Sequence, residues 1–163
     1  MKLTFRNVEE KDWETIKEIY DWYAVNSIVT FHTEPVSINI LREYVFIDHP
    51  RYRSFMIYDG DELAGYTYFT FYKKRPAYDR SAELAIYLKP DYCGKGIGSE
   101  IIPFMEEEAR KAGLKNILAV VTKGNDASVA LFDKFGFERC AYFKNIGEKL
   151  GQILDVIGYQ KEL

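Results

Sequence analysis

Apolar and polar positions change period several times along this chain, and each change marks an element. Leu3 to Val8 reads as a short first strand. Asp12 then offers an N-cap, and Trp13, Ile16, Ile19, Tyr20 and Tyr23 follow at helical spacing, so one face of this helix is expected to be buried. Ser37 is placed to cap a second helix carrying Leu41, Tyr44 and Val45, which should end before Pro50. Between the two lies a polar and aromatic loop, Asn26 to Val36. Ser54 to Tyr58 and Leu63 to Tyr72 read as strands flanking Asp59-Gly60-Asp61-Glu62, whose Asp-Gly pair is a strong turn signal, so a hairpin is expected. After the loop Lys73 to Arg80, Ser81 to Leu88 is a fourth strand, closed by Lys89-Pro90-Asp91.

A glycine cluster follows, then a helix to about Ala112 with Gly113 as its C-cap. Pro103 falls inside that helix, where the missing hydrogen bond can cost about 3 kcal/mol, so a kink or late start is expected. The β-branched, apolar run Asn116 to Val121 predicts a buried strand, and a helix from about Asp126 to Phe135 should end at Gly136. Glu138 to Glu162 should add a closing strand pair around Gly147 to Gly151. The order strand, two helices, three strands, helix, strand, helix, strands gives a mixed α/β sheet.

At 163 residues, with no linker, repeat or low-complexity tract, the chain reads as one domain, 1–163. Its 47% hydrophobic residues suffice for a core and exclude a disordered chain. The net charge of -3 argues against a nucleic-acid binder, which needs a surplus of Lys and Arg along one face. Cys93 and Cys140 are far apart and lack C-x-x-C spacing, so no disulfide framework or metal site is indicated, which suits a reducing cytosol. The longest apolar run, Ile117 to Val121, is far short of the roughly 18 residues of a membrane span, and the first residues lack a signal-peptide stretch.

The chemically informative stretch is Leu88-Lys89-Pro90-Asp91-Tyr92-Cys93-Gly94-Lys95-Gly96-Ile97-Gly98-Ser99, a strand end passing through three glycines into a helix. Glycines let a backbone approach a ligand, and the first N–H groups of a helix are free donors at its positive end, a geometry that binds pyrophosphate. It is not a P-loop, because Gly96 follows Lys95 where Ser or Thr is required. Its G-x-G-x-G spacing after a fourth strand is a poor dinucleotide fingerprint. A plain turn remains the bland alternative.

Cys93-Gly94-Lys95-Gly96-Ile97-Gly98 resembles the Arg/Gln-x-x-Gly-x-Gly/Ala loop of the GCN5-related N-acetyltransferase (GNAT) superfamily, with Cys93 in place of the usual Arg or Gln. Asn125-Asp126-Ala127-Ser128, followed by Leu131 to Phe137, resembles its second signature. Thr30 to Ser37, Ala64-Gly65-Tyr66, Arg75-Pro76-Ala77-Tyr78 and Leu154-Asp155-Val156 look like the phosphinothricin and methionine sulfoximine acetyltransferase subgroup. The resemblance implies a GNAT fold: a mixed, mostly antiparallel twisted sheet with helices on both faces. It implies acetyl-CoA as co-substrate, no metal, a small amino-acid-like amine as acceptor, direct attack in a ternary complex and a homodimer in the cytoplasm.

An α-amine with a reference pKa of about 8 is mostly protonated at neutral pH, so a base is needed. Glu83, alternating with Ala85 and Tyr87 on the fourth strand, is the candidate, and the subgroup places a carboxylate at the matching position; a solvated glutamate is the alternative. Backbone N–H groups of Ile86, Tyr87 and Leu88 are candidates to stabilise charge on the thioester oxygen. By resemblance, Gly94, Lys95, Gly96, Ile97, Gly98 and Ser99 hold the pyrophosphate, and Asn125 and Ser128 contact the co-substrate, although Asn125 also suits a helix N-cap. Many superfamily members protonate the leaving thiolate with a Tyr at the position occupied here by Phe132. Phe31, Thr33, Glu34, Arg75 and Tyr78 are the acceptor candidates; Arg75 suits a carboxylate because a guanidinium binds it through two hydrogen bonds. His32 either touches the acceptor or caps its loop, and His49 beside Pro50 is expected at the surface. Two rivals are an acyl-CoA-binding module without catalysis, favoured by Phe132 and Cys93, and a peptide or protein N-acetyltransferase.

Overall fold

The computed structural model describes residues 2–163. Seven strands, β1 (Leu3–Asn7), β2 (Arg53–Asp59), β3 (Glu62–Phe71), β4 (Ser81–Leu88), β5 (Asn116–Thr122), β6 (Glu138–Lys149) and β7 (Gln152–Glu162), form one sheet in the order β1-β2-β3-β4-β5-β7-β6. Four helices accompany it: α1 (Trp13–Asn26), α2 (Ile38–Leu41), α3 (Gly98–Lys111) and α4 (Asp126–Lys134). Every strand pair is antiparallel except β4 with β5. Among the described residues no helix is long and apolar enough to cross a membrane.

The two faces of the sheet carry separate apolar clusters because side chains alternate along each strand. Ile16, Ile19, Tyr20 and Tyr23 of α1 pack with Met56, Tyr66 and Tyr68 on one face. Ile101, Ile102 and Met105 of α3 and Phe132 of α4 pack with Phe55, Ile57, Phe69, Leu84 and Ile117 on the other. In β3 the residue Ala64 is a bulge, since Ile57 faces Gly65 while the next residue, Tyr58, faces Leu63. That bulge brings Gly65 against β4: a Cβ there would lie 2.2 Å from the Tyr87 carbonyl oxygen and 2.8 Å from the Leu88 Cα.

Several local expectations need correction. Asp12 does not cap α1 with its side chain; its carboxylate accepts the Glu9 N–H at 2.8 Å and pairs with Arg6 at 2.8 Å, so it ties a 3-10 turn to β1 instead. Ser37 does cap α2, accepting from the Ile40 N–H at 3.3 Å, but the helix is one turn long and Tyr44 and Val45 follow in turns. His49 is half-buried rather than at the surface, and its Nδ1 accepts the N–H groups of Arg51 and Tyr52, both at 3.0 Å. The helix containing Pro103 starts at Gly98 and runs unbroken to Lys111, with Pro103 exposed and Phe104 stacked on Phe5 at 3.9 Å. The last hairpin turns at Leu150-Gly151, with φ of 52° and 71°, the both-positive geometry that matches strand twist.

Gly65→Ala should therefore destabilise the fold by about 1–3 kcal/mol, because the obstructing atoms are backbone and cannot rotate away. Urea unfolding of the two proteins measures this, and an unchanged midpoint would show that β3 and β4 have room to separate.

Candidate active site

The parallel pairing of β4 with β5 covers only three positions, Ser81 with Asn116, Ala82 with Ile117 and Glu83 with Leu118. Beyond Glu83 the strands part, and a cleft of about 420 Å³ opens between Leu84–Leu88 and Ala119–Val121, floored by Leu131 and Phe132 of α4. Backbone direction alternates along β4. The Arg80 carbonyl accepts from Lys115 on the β5 side, whereas the Ala85 carbonyl accepts from Thr67 Oγ1 and the Lys89 N–H reaches Ala64, both on the β3 side. Even-numbered residues thus face the gap, and the N–H groups of Ile86 and Leu88 point into it. Tyr87 is corrected as a backbone donor: its N–H faces Tyr66 in the β3 ladder, and it contributes its ring to the wall instead.

At the mouth of the cleft, Gly94 and Gly96 adopt φ of +76° and +74°, while Ile97 returns to the right-handed helical region. Alternating hands of this kind turn successive N–H groups toward one point, making a cradle for an anion. None of the N–H groups from Gly94 to Gly98 has an acceptor among the described residues, and α3 begins there with its positive end. Gly98 has a different reason: a Cβ would meet Leu131 Cδ2 at 2.7 Å, so it lets α3 approach α4. Lys134 Nζ donates to Ser99 Oγ at 3.0 Å, and Lys95 Nζ lies 5.1 Å from the Tyr92 ring centre, outside the cleft wall. Asn125 serves as the N-cap of α4, accepting the Ser128 N–H at 3.4 Å, and both residues also line the cleft. Five free backbone donors with lysines beside them fit a pyrophosphate.

Glu83 stands at the last paired position before the gap and lines the cleft. Burial alone pushes its carboxyl pKa up to about 7, with no neighbouring cation to offset it. Tyr68 lies on the same face, its phenol raised by burial first and by other tyrosines and the Glu83 charge after that. Tyr20 and Tyr23 meet Tyr87 edge-on at 5.4 and 5.6 Å, and Tyr66 stacks on Tyr87 at 5.3 Å. Tyr23 donates its hydroxyl to the Leu88 carbonyl and lies 3.3 Å from Cys93 Sγ. Cys93 thus takes part in the cleft wall through a tyrosine contact instead of an Arg or Gln.

The acceptor candidates do not converge in this cleft. Phe31, Thr33 and Glu34 are exposed on the loop after α1, where the Phe31 ring covers Gly147 of β6. His32 Nδ1 bonds the Tyr20 hydroxyl. Arg75 lines a second depression of about 480 Å³ with Lys73, Lys74, Phe71 and Asp79, and Tyr78 packs edge-on against Tyr72 at 5.4 Å. Tyr142 is turned to Asp155, while Tyr92 lines the cleft mouth and donates to Glu62 at 3.2 Å. Tyr23 and Val29 are cleft residues that the sequence marked only as helix face and loop. Among the described residues no cluster of three or more His, Cys, Asp or Glu is placed to hold a metal.

Residues 16–137 match the sequence profile of the acetyltransferase (GNAT) family. The chain is 30% identical over 159 residues to a phosphinothricin N-acetyltransferase of Streptomyces coelicolor, covering 94% of this chain and 92% of that one. It is 26% identical to an L-methionine sulfoximine/L-methionine sulfone acetyltransferase of Pseudomonas aeruginosa, over 100% of this chain and 96% of the other. The crystal structure of a phosphinothricin acetyltransferase from Sinorhizobium meliloti in complex with acetyl-CoA superposes with a TM-score of 0.91 at 28% identity, covering 100% of this chain and 89% of that one. With the parted strands, the glycine cradle and these relatives in agreement, the chain belongs to the GNAT family of acetyltransferases.

Proposed function

We propose that this acetyltransferase moves the acetyl group of acetyl-CoA onto the α-amine of a small amino-acid-like acceptor, of the phosphinothricin or methionine sulfoximine type, by direct attack in a ternary complex. The observation that carries the reading is Glu83: a half-buried, desolvated carboxylate without an ionic partner among the described residues, at the point where the sheet opens. The Gly94–Gly98 donors hold the pyrophosphate, and the pantetheine arm runs down the gap. Ile86 and Leu88 present N–H groups to the thioester oxygen, which gains charge as the amine attacks. Glu83 takes a proton from the incoming ammonium, freeing its lone pair, and the sulfur departs with the electrons of the C–S bond.

The acceptor lies across Glu83, between two loops. Tyr87, two strand steps beyond Glu83, leads through Tyr20 to Thr30 and His32 on one side. On the other, β3 ends one residue past Thr70, the partner of Glu83, and passes into Lys73–Arg75. Phe31, Thr33 and Glu34 wall the first side, while Arg75 and Tyr78, on the loop after β3, lie outside the cleft, Arg75 in its own depression. Exposed apolar side chains on and beside the outer hairpin, Phe143, Ile146, Leu150 and Ile153, support a homodimer, and two exposed, unpaired cysteines suit a reducing cytoplasm.

Thiol release from acetyl-CoA, followed across amino acids, methionine sulfone, methionine sulfoximine, phosphinothricin, polyamines and a lysine peptide, should show turnover with an amino-acid analogue. Turnover confined to the peptide would overturn the acceptor assignment. Glu83→Gln should lower kcat by about a hundredfold or more and leave acetyl-CoA binding intact. The wild-type acid limb of kcat/KM near pH 7 should vanish in this variant, since the carboxylate must be ionised to act.

The same substitution makes a stability prediction. Glu83 has a folded pKa of about 7, above its unfolded value, so its ionised form opposes folding. The penalty is absent below about pH 4.3, grows toward pH 7 and is complete above it, where it approaches about 4 kcal/mol. Glu83→Gln should therefore unfold later than wild type at pH 8, and the difference should shrink toward pH 4.5; equal stability at pH 8 would contradict the buried carboxylate.

Gly96→Val should raise the acetyl-CoA dissociation constant roughly tenfold or more, because a β-branched residue resists φ of +74°. A Cβ there meets no protein atom within 4 Å, so backbone conformation, not crowding within the fold, is the cause. Calorimetric titration with acetyl-CoA decides it, and unchanged affinity would refute the cradle.

A further inference from the structure

Lys149, the last residue of β6, is 5% exposed, and among the described residues no carboxylate pairs with it. Its Nζ donates to the Thr30 carbonyl at 2.6 Å and the Tyr23 carbonyl at 3.2 Å, across 119 and 126 residues of sequence. Tyr23 belongs to the last turn of α1, whose carbonyls carry the negative end of the helix dipole and welcome a cation. Burying an ammonium against two neutral carbonyls is nevertheless expensive, and an apolar side chain of the same length would fill the space without that cost. Such a residue is better explained by what it holds than by what it stabilises.

What it holds is the junction of both substrate paths. Thr30 precedes Phe31, and its Oγ1 bonds the Tyr20 hydroxyl at 2.8 Å; Tyr20 in turn bonds His32. Tyr23 reaches the other way, to the Leu88 carbonyl at the open end of β4. The rest of the loop is tied independently: the Ile28 carbonyl accepts from Thr122 Oγ1 at 2.8 Å, and Asp21 accepts the Val36 N–H at 2.9 Å. Phe31 itself lies on Gly147, two residues before Lys149, where a Cβ would come within 2.6 Å of its ring. The outer hairpin thus grips the loop at its centre, through one charged and one aromatic contact.

We infer that Lys149 is a positioning residue for acetyl transfer: by binding the Thr30 and Tyr23 carbonyls together, it fixes the acceptor loop over Glu83 and its aromatic wall. The inference rests on the proposal that the Phe31–Glu34 segment contacts the acceptor. Lys149 touches neither substrate, so its effect should fall on acceptor geometry and spare the co-substrate.

The experiment compares Lys149→Met, Lys149→Arg and Phe31→Ala by steady-state kinetics, with methionine sulfone as acceptor and acetyl-CoA affinity measured by calorimetry. Lys149→Met should raise the acceptor KM roughly tenfold or more, the scale on which a misplaced binding group acts, with the acetyl-CoA dissociation constant within about twofold of wild type. Lys149→Arg, which keeps a charged donor, should recover part of the loss. The inference is overturned if Lys149→Met leaves the acceptor KM unchanged, or if both affinities fall together in step with the folded fraction while Lys149→Arg rescues neither. Should Lys149→Met fail to fold, Lys149→Gln, which retains an amide donor, must show the same split between acceptor and acetyl-CoA. A raised KM for Phe31→Ala alone rejects Lys149 and keeps the loop. No change in either variant rejects both.

Discussion

The structure turns on a disagreement between two strand pairs. β4 follows β3 through seven paired positions, from Ala82 with Phe71 to Leu88 with Gly65, and β5 follows β7 through seven more, from Asn116 to Thr122. Each strand's outward-facing backbone groups are met by its outer neighbour, and the two strands pair with each other only at Ser81–Glu83. Sheet twist then carries them apart, and the backbone groups left over would be a liability if they were sealed in the core. They are not sealed, because Gly94–Gly98 and α4 border an open cleft instead of filling it. An uncompensated edge inside a sheet is thus left as free backbone donors facing an open cleft.

Glu83 occupies the hinge of that opening, and its position explains its chemistry. One residue earlier it would sit on the opposite face, against α3; two residues later it would stand deep in the gap among the tyrosines. At the hinge it is desolvated enough for its carboxyl to titrate near neutrality while still lining the open cleft, as the proposed role of base requires. The surrounding phenols stay protonated, because burial raises Tyr66, Tyr68 and Tyr87 alike. Burial thus moves the carboxylate toward neutrality while it moves the phenols away from it.

Features set by local chain chemistry were legible in the sequence. The Ser81–Leu88 strand, the Asp59-Gly60 turn, the glycine loop and the Gly113 and Gly136 helix ends depend on neighbours a few residues away, and they lie where the patterns placed them. Asp12 looked like a cap because it precedes an amphipathic helix, yet Arg6 on the adjacent strand competes for its carboxylate and wins. Arg75 was expected at the acceptor because a guanidinium suits a carboxylate, but the loop after β3 carries it into a depression of its own. Tyr23 and Lys149 gave no signal beyond helix face and hairpin, because their partners lie 65 and more than 100 residues away. Contacts of that span belong to the folded topology and leave no local pattern.

In the proposed transfer, the absence of a phenol at Phe132 changes how the leaving sulfur is handled. Phe132 is packed against Phe137 and Tyr159 in the core, so this position brings no hydroxyl to the cleft. A thiol has an ordinary pKa of about 8.5, and its thiolate is a tolerable leaving group without a proton donor. Glu83 at about 7 lies between the sulfur and an ordinary carboxylate, weak enough as a base to surrender its proton once the new amide has formed. A carboxyl of ordinary acidity would be a poorer partner for the ammonium, and one raised much further would stay protonated at neutral pH and never accept the proton. The burial that detunes Glu83 thus fits an active site in which the usual acid is missing, and the same desolvation serves both halves of the proton's journey.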